Sequence, residues 1–284
     1  MNWTVGSLLQ WTEAYFKKQG LFKPRLDAEL LLSHSLRKRR IDLYLEFDRP
    51  LVETELSAFK EWIKRRADHE PVQYIIGHQE FWSLDFSVKP GVLIPRPETE
   101  CLIEQSLKIL GDRAKENIRI LDIGCGSGVI AVALAKECSR AEIIAVDISD
   151  VALSCARDNA KKLGVDSRIG FKLSDIYSNV DPQKFDLIVS NPPYLREEEW
   201  KILDREIREY EPREALIAGE RGIDFHLKII LNAPRFLQER GGLLLEIAPD
   251  QADILSDHAK NMNVFSTIDV IKDYSDRDRI IIMR

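Results

Sequence analysis

The chain has 284 residues, of which 44% are hydrophobic and 31% are charged, and its formal net charge at pH 7 is −6. A chain of this length is expected to form about two domains, and no apolar stretch approaches the roughly 20 residues that a membrane-spanning helix needs. The acidic balance argues against a protein whose main affinity is for nucleic acid phosphates, so we expect no membrane association and no direct nucleic acid binding.

The amino-terminal sequence MNWTVGSLLQWTEAYF lacks the basic segment, continuous apolar core and cleavage site of a signal peptide. We therefore expect a cytoplasmic protein. The four cysteines show no C-x-x-C pair, and the five histidines are scattered without a metal-binding motif. This pattern predicts buried, reduced thiols and no metal site.

The first 75 residues predict helices and no strands. A first helix is expected after the potential cap Thr4, a second after Pro24, a third near Glu53, and a short turn at Pro71. Together these segments predict a small helical domain over residues 1–75, which we interpret as a surface for recognising a partner.

A different pattern follows, in which aromatic and apolar residues roughly alternate in QEFWSLDFSVK, residues 79–89. Alternation of this kind predicts a β-hairpin. We place a hairpin linker over residues 76–95 and a second domain over residues 96–284.

From residue 118 onward, apolar runs typical of buried strands alternate with helical segments: IRILDIG, AEIIAVD, RIGFKLSD, FDLIVSN, GGLLLEIA and RIIIMR are the predicted strands. Buried strands that alternate with helices predict an α/β fold with a largely parallel sheet. Such sheets bind ligands beyond the carboxyl ends of their strands. The glycine-rich, aspartate and NPPY motifs of this region all fall at such ends.

The segment LDIGCGSGVIA places Gly124, Gly126 and Gly128 between a predicted strand and a predicted helix. Glycine permits a tight turn and a close approach of the backbone to a ligand, and the start of the following helix offers free N–H groups. The loop is therefore a candidate cofactor site.

Two cofactors suit this loop. The weak dinucleotide pattern G-x-G-x-x-A is present, whereas the pattern D-x-G-x-G-x-G of S-adenosylmethionine-binding folds is matched in full from Asp122 onward. Asp147 ends the next strand, where a carboxylate can accept hydrogen bonds from a ribose diol under either interpretation. Asp175 ends the strand after that, and either carboxylate could instead cap a helix.

The tetrapeptide NPPY at 191–194 directly follows a buried strand. Proline fixes φ and has no N–H, so the turn offers hydrogen-bond acceptors rather than donors. The side-chain oxygen of Asn191 and the carbonyl of Pro192 can each accept one hydrogen from a planar NH₂ group, while Tyr194 covers its flat face. The tetrapeptide resembles the signature of S-adenosylmethionine-dependent methyltransferases that modify a planar nitrogen, either a side-chain amide or a base amine, and acceptors placed in this way would favour the more tetrahedral nitrogen of the transition state. No general base is visible.

The whole chain resembles the bacterial peptide-chain release factor glutamine methyltransferases, the PrmC/HemK family. The resemblance is carried, in order, by EFWSL, LIPRPETE, DIGCGSG, VSNPPY, YEPREAL and DYSDRDR. It implies a class I S-adenosylmethionine-dependent methyltransferase fold, Rossmann-like with a mostly parallel seven-stranded sheet, behind a helical bundle and a linking β-hairpin. It also implies methyl transfer from S-adenosyl-L-methionine to the glutamine side-chain nitrogen of the Gly-Gly-Gln motif in class-1 release factors, with S-adenosyl-L-homocysteine as product.

Site residues follow from the motifs and from this resemblance. The cofactor-binding residues are expected to be Asp122, Gly124, Cys125, Gly126, Ser127, Gly128, Asp147, Asp175, Ile176 and Asn191. The catalytic residues are expected to be Asn191, Pro192 and Tyr194, and the substrate contacts Asn191, Pro192, Pro193, Tyr194, Phe81 and Arg96. Some family members have tryptophan where this chain has Ile176, so we expect slightly weaker stacking on adenine here.

The sequence motifs are also compatible with other functions. A glutamine methyltransferase of a ribosomal protein would share both motifs, and an adenine or guanine amine methyltransferase would share NPPY but would need a basic nucleic acid domain. A non-catalytic cofactor-binding module is a third alternative. We expect a monomer.

Overall fold

The computed structural model of the chain describes residues 3–284. The chain divides into two compact units, one formed by residues up to 78 together with 204–210, and the other by residues 79–203 and 211–284.

The first unit is helical, as its amphipathic sequence predicts. Its helices are α1 (Val5–Lys18), α2 (Pro24–Ser35), α3 (Arg40–Leu45), α4 (Glu53–Ala67), α5 (Val72–Ile76) and α10 (Arg205–Tyr210). Thr4 caps α1 in a capping box with Ser7. The apolar faces meet in a core that includes Leu9, Phe16 and Phe59.

Ion pairs also connect the elements of this unit. The guanidinium of Arg66, which is buried, donates to Asp27 at 2.8 Å and to Glu206 at 2.6 Å. Burial raises the pKa of Asp27 from its ordinary value. A buried cation that donates to two carboxylates meets the requirement that buried charges be paired.

A β-hairpin follows the amino-terminal helices. Strands β1 (His78–Phe81) and β2 (Leu84–Ser87) pair with each other as a two-stranded sheet, which confirms the predicted hairpin.

The second unit contains a seven-stranded sheet with the order β5-β4-β3-β6-β7-β9-β8. Its strands are β3 (Arg119–Ile123), β4 (Glu142–Asp147), β5 (Ile169–Leu173), β6 (Phe185–Ser190), β7 (Leu237–Glu246), β8 (Ile268–Lys272) and β9 (Asp278–Met283). β3 to β7 pair in parallel, whereas β9 is antiparallel to both β7 and β8. The predicted α/β fold is confirmed, with one antiparallel edge.

Helices accompany this sheet and bury its apolar side chains in two clusters. The helices are α6 (Glu100–Leu110), α7 (Val129–Glu137), α8 (Asp150–Lys162), α9 (Glu197–Lys201), α11 (Asp224–Asn232) and α12 (Ala252–Asn261). Among residues 3–284, no helix combines the length and the apolar character that crossing a membrane requires.

The strand register decides where the motifs meet. Ile123 at the end of β3 pairs with Val146 of β4 on one side and with Ser190 of β6 on the other. Ser190 in turn pairs with Leu245 of β7. The carboxyl ends of four strands therefore lie side by side, and the segments that follow them share one edge of the sheet.

Candidate active site

The glycine loop between β3 and α7 turns back on itself with three left-handed glycines. Gly124, Gly126 and Gly128 have φ values of 71°, 55° and 81°, a conformation that a side chain disfavours. A Cβ atom at Gly124 or Gly126 would meet nothing within 4 Å. The space beside these two residues is therefore open to a ligand.

Gly128 serves packing instead. A Cβ atom at this position would lie 2.9 Å from the Cβ of Ala156 on α8, so only glycine allows the two helices this close approach. Asn159 on α8 donates to the carbonyl of Ser127 at 2.9 Å and ties the same helix to the loop. Ser127 and Cys125 are both buried, and burial raises the pKa of the Cys125 thiol well above its ordinary value.

Asp122 lies beneath the loop and is 0% exposed. Its Oδ2 accepts a hydrogen bond from the amide of Ala131, at 3.1 Å, in the first turn of α7. Desolvation raises its pKa to about 7. Its Oδ1 has no hydrogen-bond partner among residues 3–284. Asp122 therefore holds the loop to the helix and does not face the open space.

Asp147 stands at the end of β4, beside the loop. Its Oδ2 accepts from the amide of Gly126 at 2.8 Å, and its Oδ1 accepts from the amide of Ser149 at 2.9 Å. Burial raises the pKa of this carboxyl, although the backbone donors oppose that shift. A carboxylate has about four acceptor positions, so two oxygens that each receive one amide can still accept hydroxyl groups.

The turn after β5 contains Asp175, which is exposed, and Ile176, which is partly buried. Ile176 has a φ of 51°, which is uncommon for a β-branched residue. The hydroxyl of Ser174 donates to the Ile176 carbonyl at 3.0 Å, and the amide of Asp175 donates to Ser178 Oγ at 3.1 Å. These contacts hold Ile176 in its uncommon backbone conformation just beyond the carboxyl end of β5.

The NPPY turn leaves β6 on the neighbouring strand end. The side-chain amide nitrogen of Asn191 donates to Thr99 Oγ1 at 3.0 Å, and the hydroxyl of Thr99 donates to Glu246 Oε2 at 2.7 Å. Pro192 is buried, whereas Asn191 and Tyr194 are partly exposed. The amide of Asn191 is thus held through its nitrogen.

Tyr194 is fixed through its backbone. Gln251 donates to the carbonyls of Tyr194 and Gly222, both at 2.9 Å. A Cβ atom at Gly222, where φ is 71°, would lie 2.5 Å from the Tyr194 carbonyl oxygen, so this approach requires glycine. Burial raises the pKa of the Tyr194 phenol to about 12, and the ring is neutral at physiological pH.

Arg96 borders the same site. Its guanidinium donates to Glu211 at 2.5 Å and to the carbonyl of Ile94 at 3.0 Å, and Glu211 also accepts from the amide of Ile94. A small cleft opens here; it is lined by Leu93, Arg96, Asn191, Pro192, Tyr194, Leu195, Ala215 and Leu216. Four members of this set, Arg96, Asn191, Pro192 and Tyr194, are among the predicted substrate contacts.

Phe81 has a different environment from the other predicted substrate contacts. It is 2% exposed and packs edge to face against Phe86, with ring centroids 6.1 Å apart. Its ring belongs to the hydrophobic core in this structure, and its role in substrate binding stays a prediction.

The structure brings together two sets of predicted residues, the glycine loop with Asp147 and the NPPY turn with Arg96. Sequence reasoning missed Thr99, Glu246, Glu211 and Gln251, which hold the second set. Only Glu246 could have been noticed in the sequence, because it ends the apolar run GGLLLE. A carboxylate that is buried at a strand end is costly unless it is paired or hydrogen-bonded. Within the part of the chain that the structure describes, no cluster of three or more His, Cys, Asp or Glu could hold a metal ion.

Comparison with known proteins adds independent findings. The model of the PrmC N-terminal domain matches residues 7–77, and that of the methyltransferase small domain matches residues 101–209. The chain is 43% identical to the release factor glutamine methyltransferase of Geobacter sulfurreducens over 88% of this chain and 86% of that protein. It is 38% identical to the protein of the same name from Rhodopirellula baltica, over 99% of this chain and 96% of that protein.

A solved structure of a T. thermophilus 16S rRNA methyltransferase, in complex with S-adenosylmethionine and guanosine, superposes with a TM-score of 0.53 at 18% identity. The match covers 73% of this chain and 49% of that one. At this identity the likeness shows a shared fold.

Proposed function

Because the chain belongs to the release factor glutamine methyltransferase family, we propose that it transfers a methyl group from S-adenosyl-L-methionine to the side-chain nitrogen of the Gly-Gly-Gln glutamine in class-1 release factors. The observation that carries the proposal is the register that sets the NPPY turn beside the glycine loop, since Ile123 and Ser190 are paired strand ends. A methyl donor held by the loop and an NH₂ group held by the turn would meet at one sheet edge.

The residues around the loop fit the proposed cofactor. The open space beside Gly124 and Gly126 can receive a ligand against the backbone, and Asp147 can accept two ribose hydroxyls. Ile148, which directly follows Asp147, exposes 68% of its surface, and Ile176 lies in the turn after β5, the next strand along the sheet. We assign these aliphatic side chains to the faces of the adenine and Asp175 to its amine.

S-adenosyl-L-methionine, when bound, would supply an electrophilic methyl group: its sulfur–methyl bond would break as the nitrogen–methyl bond forms, the sulfur would leave as the neutral thioether of S-adenosyl-L-homocysteine, and the displaced amide proton would pass to water. The residues of the turn hold the nucleophile. Asn191 Oδ1 and the Pro192 carbonyl each accept one N–H of the glutamine amide, while Pro193 keeps the turn rigid and Tyr194 lies along the flat face of the amide. Acceptors placed in advance favour the more tetrahedral nitrogen of the transition state.

The same acceptors explain selectivity for glutamine over glutamate. A glutamate side chain would direct carboxylate oxygens at two oxygen acceptors, and a site built for a hydrogen-bonding group rejects such an analogue by about 10⁴ or more. Arg96, at the mouth of the cleft, is assigned to the peptide backbone around the glutamine.

The charges of the helical unit support a protein substrate over a nucleic acid. In the basic run at 37–40, Lys38 pairs with Glu46, Arg39 with Asp42 at 2.9 Å, and Arg40 with Glu29 at 2.6 Å. Cations that are neutralised within the unit contribute little to binding phosphates. A release factor substrate places the reaction in the cytoplasm, and we expect the enzyme to act as a monomer.

A methyl-transfer assay tests the proposal. Purified enzyme and tritiated S-adenosyl-L-methionine are incubated with an unmodified class-1 release factor, and a Gly-Gly-Glu variant of that factor serves as the matched control. Label on the Gly-Gly-Gln protein and none on the control is the expected result. Label that appears only on ribosomal protein or on nucleic acid, supplied in parallel reactions, contradicts the substrate.

A further inference from the structure

The amide of Asn191 is held by a chain of hydrogen bonds that starts at a buried carboxylate. Glu246, 0% exposed at the end of β7, accepts from the hydroxyl of Thr99, and Thr99 accepts from the amide nitrogen of Asn191. The three residues are separated along the sequence by 92 and 147 positions. They meet because β6 and β7 are neighbours in register at the carboxyl edge of the sheet.

The chemistry of these groups fixes which group donates and which accepts in each of the two hydrogen bonds. A threonine hydroxyl has one hydrogen, and here that hydrogen goes to Glu246 Oε2. The Thr99 oxygen is therefore left as an acceptor, and only the NH₂ end of the Asn191 amide can donate to it. The amide oxygen of Asn191 is consequently the end that remains for the cleft.

We propose that Thr99 and Glu246 are positioning residues that set the amide orientation of Asn191, so that its oxygen rather than its NH₂ group meets the substrate. The inference rests on the proposed function and extends it to the specificity of the site. With the amide reversed, Asn191 would present a donor, which repels the NH₂ of glutamine and attracts the carboxylate of glutamate.

The positions of the two residues suit this role. Thr99 ends the turn Pro97–Thr99 that precedes α6, its amide donates to the Arg96 carbonyl at 3.1 Å, and it is buried. Its β-branched side chain has little rotational freedom when packed. The carbonyl of Glu246 is in contact with His226 Nε2 at 2.8 Å, and burial lowers the pKa of that histidine to about 4. A neutral His226 can therefore donate to the strand end without adding charge.

Charged groups around Glu246 have opposing effects on its ionisation. Burial raises its pKa to about 7, and the carboxylate of Glu98 adds to that shift. Arg279 and Arg96 favour the ionised form, as does the hydroxyl of Thr99. The orienting hydrogen bond uses Oε2 as an acceptor, a role that this oxygen retains if a proton binds to Oε1.

Substitution of Thr99 tests the proposal. Thr99→Val keeps the shape of the side chain and removes the hydroxyl, whereas Thr99→Ser keeps the hydroxyl. Ser106→Ala is the matched control, because Ser106 is also buried and its hydroxyl donates only to the Leu102 carbonyl, one turn back in α6. Glu246→Gln changes the same pair of hydrogen bonds at the Glu246 end. A glutamine amide can donate to the Thr99 oxygen, and the Thr99 hydroxyl would then donate to Asn191.

The readouts are kcat and KM for the release factor, and inhibition by its Gly-Gly-Glu variant. For Thr99→Val and Glu246→Gln we expect kcat to fall by about tenfold, the equivalent of one net hydrogen bond. Gly-Gly-Glu should inhibit both variants more strongly, relative to Gly-Gly-Gln binding, than it inhibits the wild type. Thr99→Ser should recover most of the lost kcat, and Ser106→Ala should behave as the wild type.

Two results would overturn the inference. In the first, Thr99→Val and Glu246→Gln retain the wild-type kcat and the wild-type preference for glutamine. In the second, kcat falls but the preference is unchanged and Ser106→Ala loses as much, which identifies a purely structural effect. If the wild-type enzyme methylates no release factor, the proposed function fails and this inference fails with it.

Discussion

The glycine loop and the NPPY turn each rest on a fully buried carboxylate, but the two carboxylates hold different things. Asp122 accepts from a backbone amide and anchors the start of α7, whereas Glu246 accepts from the Thr99 hydroxyl and orients the Asn191 side chain. Burial raises the pKa of both carboxyl groups to about 7. In each group, one oxygen has no hydrogen-bond partner among residues 3–284.

The geometry of the glycine loop therefore depends on its backbone conformation, whereas the geometry of the NPPY turn depends on side-chain hydrogen bonds. The loop needs particular φ values and a close helix approach, which glycine supplies locally. The turn needs the direction of one amide, which residues from two other elements supply. Substitutions in the loop should therefore act on stability and cofactor affinity, and substitutions at the turn should act on turnover.

The largest effect is expected at the turn. Asn191→Ala removes the acceptor that we propose is placed in advance for the transition state, and kcat should fall by about 10²–10³. The dissociation constant of S-adenosyl-L-methionine, measured by calorimetry, should change far less. Asn232→Ala is the control, because the Asn232 amide donates only to the Lys228 carbonyl within α11. A variant that loses cofactor affinity in proportion to kcat would contradict the division between the two regions.

The next effect concerns the packing of the loop. Gly128→Ala places a Cβ atom 2.9 Å from Ala156 at a φ of 81°, and the free energy of unfolding should fall by about 3 kcal/mol from overpacking and backbone strain together. Gly164→Ala is matched in backbone, with a φ of 68° and nothing within 4 Å of the added Cβ. It should cost about 1 kcal/mol. Urea unfolding measures both, and equal losses would show that close helix packing is not what requires glycine at 128.

A third effect tests the two buried carboxylates directly. Their folded pKa values of about 7 lie above their ordinary values of 3.8 and 4.5, so the folded chain keeps protons that the unfolded chain has released. The free energy of unfolding therefore falls as pH rises between about 4.5 and 7, by about 1.4 kcal/mol per pH unit for each group. This is the reverse of the behaviour of an ion-paired carboxylate.

Asp122→Asn and Glu246→Gln should each flatten this dependence by about one proton, as measured by urea unfolding at a series of pH values. The contribution of each group is complete below its unfolded pKa and is lost above pH 7. Slopes that match the wild type in both variants would mean that neither carboxyl holds its proton in the folded chain.

Much of the fold could be predicted because its signals are local. Apolar runs bounded by helices identify β3 to β7, and glycines at fixed spacing identify the loop. β8 was missed, since IDVIK is short and half exposed, and its strand character depends on pairing with β9. Helix α3 was also missed, because its six residues offer too little periodicity.

The candidate site divides in the same way. Asp147 and NPPY could be recognised as candidate site residues because each follows an apolar run and carries its own chemistry. Asp122 was predicted as a cofactor contact, whereas the structure buries it beneath the loop, where it holds the loop to α7. Thr99 could not be predicted, since it belongs to no motif and its partner Glu246 is 147 positions away. A hydrogen bond between side chains on different strands and turns leaves no local pattern, so only the register of the sheet reveals it.

The smallest expected effect lies at Ile176, where the loop side of the site would cover adenine with an aliphatic side chain. Ile176→Trp supplies a flat aromatic surface and should tighten S-adenosyl-L-methionine binding by about threefold to tenfold, with kcat unchanged. Ile176→Leu separates this gain from relief of backbone strain, because leucine is not β-branched and is less disfavoured at a φ of 51°. Calorimetric dissociation constants that improve equally in both variants would assign the gain to the backbone. No change in either would place Ile176 outside the cofactor contact, and the loop would then hold its ligand through the backbone and Asp147.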